Sequence, residues 1–123
     1  MLLILQSWMW MLYFDYLMLV RGFDAVHAAV RRQRSVSLHS PITDHHLTCH
    51  AVDLACVFYF KPVLCLQRSA ATIILLRRHG WQAEMVIGAQ LLPFQSHAWV
   101  EMRGNVVNDK PYINQIFQVL DRC

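Results

Sequence analysis

The period of the apolar residues changes once along this 123-residue chain, near Gly80, and that change limits the folds open to it. Upstream the spacing is helical. Leu66, Ala70, Ile73, Ile74 and Arg77 recur at three- and four-residue intervals over about 63–79. The run closes on Arg77-Arg78-His79-Gly80, cations and then glycine, which is the chemistry of a helix C-terminus. Downstream, short β-rich runs bounded by turn residues predict strands at Glu84–Ala89 (EMVIGA), His97–Met102 (HAWVEM) and Asn105–Asn108 (NVVN). Pro93 falls in the first connection and Arg103-Gly104 in the second. Helices first and strands afterwards make an α+β chain, with N-terminal helices followed by a small antiparallel sheet; a doubly wound sheet needs alternation. From Pro111 the sequence reads as a short tail or a final helix.

Ahead of these elements, Ser40-Pro41 offers an N-cap and a proline at the first helical position, and predicts a helix over about 41–59. Its buried face is expected to carry Leu47, Ala51, Leu54, Ala55 and Phe58. Lys61-Pro62 then breaks the pattern. A further amphipathic stretch, Phe23–Val30, ends in the basic run Arg31-Arg32-Gln33-Arg34, and Ser35–Ser40 reads as a linker. The chain thus divides into an N-terminal helical region, 1–39, and a core, 40–123.

Met1–Val20 is almost wholly apolar and approaches the ~20 residues of a membrane span. It lacks the basic start and small-residue cleavage site of a signal peptide, and Trp8, Trp10, Tyr13, Phe14 and Tyr16 crowd it. Asp15 within a bilayer costs about 2.5–3.5 kcal/mol. The favoured expectation is a helix packed on the domain or on a partner subunit, with membrane contact through residues 1–20 as the alternative. An apolar content of 56%, above the usual ~45–50%, agrees with some surface meeting a partner. The net charge of +3 is scattered, so no nucleic-acid partner is expected. Four cysteines without a CxxC pair fit a reduced, cytoplasmic chain.

Cys65 falls in the first turn of the helix that follows Pro62, where unpaired N–H groups and the helix dipole stabilise a thiolate. His97 opens one predicted strand and Asp109 ends the next. A tight turn at Arg103-Gly104 brings these two within one residue of facing each other, so the carboxylate can orient the imidazole. Nucleophile, general base and orienting acid are the parts of cysteine peptidase chemistry. Taken singly, each residue has a plainer reading, as a buried thiol or an incidental strand histidine; order and spacing favour function.

The stretch CLQRSAATIILLRRHGWQAEMVIGAQ, with PFQSHAWVEMRGNVVND after it, resembles the lasso-peptide leader peptidases, the peptidase half of the lasso B proteins, within the transglutaminase-like superfamily. The family patterns C-L-x-R-S and H-A-W-V-E fall at Cys65–Ser69 and His97–Glu101, and AVDLA at 51–55 is similar to the helix before the nucleophile. The resemblance covers most of residues 40–110. It implies a transglutaminase-like, papain-like core with Cys65, His97 and Asp109 as the triad, and no cofactor. It also implies cleavage of a ribosomally made precursor at its leader–core junction, after which a separate ATP-dependent cyclase closes the core. The fused form carries a leader-binding module for which this chain has no room, so a separate leader-binding protein is implied. The apolar N-terminal helix is a docking surface suited to it or to the cyclase.

For the oxyanion the Cys65 backbone N–H is the default donor, with Gln67 or Gln95 as a conceivable second. His46 and His50 share a helix face, but structural zinc needs about four ligands and no second pair stands at a familiar spacing, so no metal is expected. Trp81 and Trp99 read as core. Two other functions fit the same residues: amide transfer to an amine, as in true transglutaminases, and a non-catalytic scaffold that delivers the precursor.

Overall fold

A computed structural model describes residues 2–32, 45–60, 65–91, 94–102 and 104–123. The helices are α1 (Leu2–Val20), α2 (Phe23–Arg32), α3 (His45–Val57), α4 (Cys65–Arg78) and the single turn α5 (Ile113–Ile116). The strands are β1 (Glu84–Leu91), β2 (Phe94–Met102), β3 (Asn105–Val106) and β4 (Gln118–Arg122). They form one antiparallel sheet in the order β3-β2-β1-β4. The α+β expectation holds: a helical layer precedes and covers a small antiparallel sheet.

Helix α4 is the centre of the molecule. Leu66, Ala70, Ile73, Ile74 and Arg77 are all buried, as the periodicity requires, and so are Gln67, Ser69, Ala71 and Thr72. One side of α4 meets Met85, Ala98, Val100 and Met102 of the sheet in a core that also takes in Phe14, Leu17, Val26 and Val30 from α1 and α2. Gly80, at φ 93°, ends the helix in the left-handed conformation that glycine adopts without strain. Buried Arg77 then ties the ends together. Its guanidinium donates to the carbonyls of Val30 at 2.7 Å, Ala83 at 2.9 Å and Cys123 at 2.8 Å.

Helix α1 packs against α2, α3 and α4 through Ser7, Met11, Phe14, Asp15 and Leu17. Its polar residues are accommodated inside the fold: Ser7 donates to the Leu3 carbonyl, and Tyr59 donates to Asp15 Oδ2 at 3.3 Å. The opposite face, Leu2, Leu5, Met9, Leu12, Tyr16 and Leu19, is exposed. By length and composition α1 is also apolar enough to cross a membrane.

Several expectations change. The buried face of α3 is Thr48, Cys49, Ala51, Val52 and Ala55, with Leu47 54% and Phe58 72% exposed. Packing against α1 and α4 selects a face rotated from the one that apolarity alone marks. β1 and β2 run closer to their connection than expected, so His97 lies inside β2 rather than at its start. The tail supplies a strand, β4, which pairs with β1 and adds a second partner to that strand. The Ser40-Pro41 start, the 35–40 linker and Lys61-Pro62 fall outside the described residues.

The sheet's second face holds Trp99, Val86 and Ile113, with Phe117 against them. Trp99 has room only because residue 88 is glycine: a Cβ there would stand 2.7 Å from the Trp99 ring and 3.0 Å from the Gln118 carbonyl. Gly88→Ala is therefore expected to cost about 1–3 kcal/mol through overpacking, read as a lower denaturant midpoint with an unchanged slope.

Candidate active site

His97 and Asp109 meet. His97 Nε2 lies 2.5 Å from Asp109 Oδ2, and the Lys110 backbone N–H donates to Asp109 Oδ1 at 2.7 Å, so each carboxylate oxygen has a partner. The expected register is also found, with Glu101 opposite Val106 and Met102 opposite Asn105. β3 is shorter than expected, however, and Asp109 sits in the bend after it. An acceptor at Nε2 fixes that nitrogen as the protonated one, which leaves the Nδ1 lone pair as the basic site. Aromatic rings hold the imidazole: Phe117 stacks at 5.3 Å and Trp99 at 6.0 Å.

Burial alone would raise the Asp109 pKa. The hydrogen bonds from His97 and Lys110, with the charges of His97 and Arg68, outweigh it and hold the carboxyl below its ordinary value. The pair is partly exposed, so solvent screens it.

Cys65 is the first residue of α4 and is half-buried against the main core. Burial pushes the Cys49 thiol up to about 11 and also raises those of Cys56 and Cys123, which keeps all three protonated near neutrality. Among the described residues Cys65 is the cysteine that opens a helix, an end where the helix dipole favours an anion. No hydrogen bond joins Cys65 to His97 among the described residues. Their elements are nevertheless locked together: Ser69, one turn after Cys65, donates to the carbonyl of Ala98, beside His97, at 3.0 Å. Strand alternation turns Ala98 towards α4, while the His97 ring stacks on Trp99 on the sheet's other face.

Gln67 is buried on α4, its Oε1 without a hydrogen bond among the described residues, and Gln95 is exposed on β2 two residues before His97. Trp99 is fully buried, and Trp81 packs partly buried on the main core.

Sequence reasoning missed the polar residues around the pair. Arg68 holds Asp53 at 2.6 Å and the Asn108 carbonyl at 2.9 Å, while the Asn108 side chain spans Val100 N–H and Ser69. Arg68 and Ser69 are the last two residues of the C-L-x-R-S pattern, which was the available signal. Phe117 had none, because its place depends on β4.

A model of the transglutaminase-like superfamily matches residues 8–122. The chain belongs to that superfamily. The microcin J25-processing protein McjB of Escherichia coli is 31% identical over 94 residues, which is 74% of this chain and 45% of that protein. The chain thus spans less than half the length of this relative. No solved structure matches it.

The Asp109 shift sets the sign of a pH effect. A carboxyl depressed in the folded state adds stability above its unfolded pKa of about 3.9, and that stability disappears as pH falls through the lower folded value. The stability gap between wild type and Asp109→Asn, measured by denaturant titration, is expected to be constant near neutrality and to shrink below about pH 4.

Proposed function

We propose that this protein is a cysteine peptidase that removes the leader from a ribosomally made lasso peptide precursor, with Cys65 as nucleophile, His97 as general base and acid, and Asp109 as orienting carboxylate. The observation that carries the reading is the 2.5 Å His97–Asp109 contact on a strand packed against the helix that Cys65 begins. Membership of the transglutaminase-like superfamily and likeness to a microcin-processing protein support it.

In this reading the Nδ1 lone pair takes the thiol proton as Cys65 Sγ attacks the carbonyl of the leader–core peptide bond. The imidazolium returns that proton to the leaving amine, which becomes the N-terminus of the core. The leader remains on Cys65 as a thioester. His97 then deprotonates a water that attacks the thioester carbonyl, and its proton returns to the departing sulfur. The Cys65 N–H, at the positive end of α4, faces the developing oxyanion. Nucleophile and base need close only when precursor is bound, since such contacts are often loose without substrate and tighten in the complex. The released amine is what a separate ATP-dependent cyclase requires, and a separate leader-binding protein delivers the precursor. In this reading the chain works in the cytoplasm, with the exposed face of α1 as its docking surface for those partners.

The test is incubation with precursor and leader-binding protein, with products read by mass. Free leader and core are expected from wild type. Cys65→Ala and His97→Ala lower the rate by about 10³-fold or more, and Asp109→Asn by on the order of 10²–10⁴-fold. Cleavage that survives Cys65→Ala excludes the mechanism. Product found only when an amine is added, and joined to it, assigns the chain to amide transfer. Maturation that proceeds unchanged with Cys65→Ala makes the chain a scaffold.

A further inference from the structure

β3 ends at Val106, and one further backbone bond, from the Val107 N–H to the Val100 carbonyl at 3.0 Å, completes the ladder. Asp109 lies beyond it, in a bend. Asp109 nevertheless holds the imidazole at 2.5 Å, and side-chain bonds stand where the ladder has ended. Asn108 supplies them. Its Oδ1 accepts the Val100 N–H at 2.7 Å, in the role of a strand carbonyl, and its Nδ2 donates to Ser69 Oγ at 3.2 Å. Its own carbonyl accepts from Arg68 Nη2 at 2.9 Å. The Arg68 Nε and Nη2 also hold Asp53 of α3, at 3.0 and 2.6 Å. The residue before Asp109 is thereby fixed to α4 at two points and to β2 at one, and α4 is the helix that Cys65 begins.

We propose that Arg68 and Asn108 are positioning residues, which clamp the Asp109 loop to α4 and β2 and through Asp109 set the orientation of the His97 ring. Neither touches a reacting atom. The division of labour follows from their chemistry. Asn108 offers an acceptor and a donor on one rigid plane, so it satisfies the strand N–H and the Ser69 hydroxyl together. Arg68 has donors enough to serve a carboxylate and a carbonyl at once, which a lysine ammonium on a flexible stem does not reproduce. Two elements that carry separate parts of the site, α4 and the 107–110 loop, are held in one frame.

The catalytic meaning of the clamp rests on the peptidase reading, but its effect on the His97–Asp109 contact does not. The first measurement therefore uses the full chain carrying Cys65→Ala, which performs no chemistry. The His97 ring N–H proton is followed by NMR, where a ring proton bonded to a carboxylate lies far downfield and persists only while sheltered from exchange. Asp109→Asn serves as the reference for its loss. Arg68→Gln and Asn108→Ser are expected to speed its exchange by on the order of tenfold or more, at a temperature where circular dichroism finds each variant folded. Arg68→Lys is expected to fail to restore it. With Cys65 intact, Arg68→Gln is expected to lower kcat for precursor cleavage by on the order of 10–100-fold, with KM within about twofold. An unchanged ring-proton signal in both Arg68→Gln and Asn108→Ser overturns the proposal, even if both variants lose stability. Cleavage that survives Cys65→Ala sinks the peptidase reading instead and leaves the ring-proton result to decide the clamp.

Discussion

A helix buried on almost every side has few places to present chemistry, and α4 is such a helix. From Leu66 to Arg77 only Arg68 escapes full burial, because α1, α2 and α3 cover it on one side and the sheet on the other. Its C-terminus is closed by Gly80 and by the Arg77 contacts. What remains available is the N-terminal end, where Cys65 is only half-buried. The enclosure that stabilises the fold also confines the thiol to the helix end that favours an anion.

The sheet serves that end with two faces that differ in function. One is apolar and seals α4 through Ala98, Val100 and Met102. The other builds an aromatic support of Trp99 and Phe117 under the imidazole, and it depends on Gly88 lacking a side chain. Buried Glu101 completes this face, accepting from Trp99 Nε1 at 2.8 Å and from Arg122 at 2.8 Å. Such a buried carboxylate is tolerable because it is paired and hydrogen-bonded. A polar cluster then joins the helix end to the loop that carries Asp109.

Much of this was legible from residue order. The three- and four-residue spacing of Leu66, Ala70, Ile73 and Ile74 marks the face that α4 buries, and Gly80 marks its end. The hairpin spacing read from the sequence predicts the register found for β2 against β3, and with it the approach of His97 to Asp109. The α3 face was misjudged because it is selected by what packs on it: apolar Leu47 and Phe58 point outward while Thr48 is buried. β4 was missed because QVLDR pairs with a strand some thirty residues earlier, and nothing local announces such a partner.

Sequence by itself determined most of the local geometry: which segments coil, which extend ahead of the tail, and which residue types stand at the helix start and in the hairpin. Those properties depend on neighbours a few positions away, and backbone sterics and apolar spacing encode them. Only the tertiary structure decided that Asn108 takes the place of a ladder carbonyl, that Arg68 joins α3 to the Asp109 loop, and that Phe117 stacks on His97. Each of these contacts spans from eight to about forty residues of chain. Their partners are chosen by how whole elements dock, which no short window of residues can express.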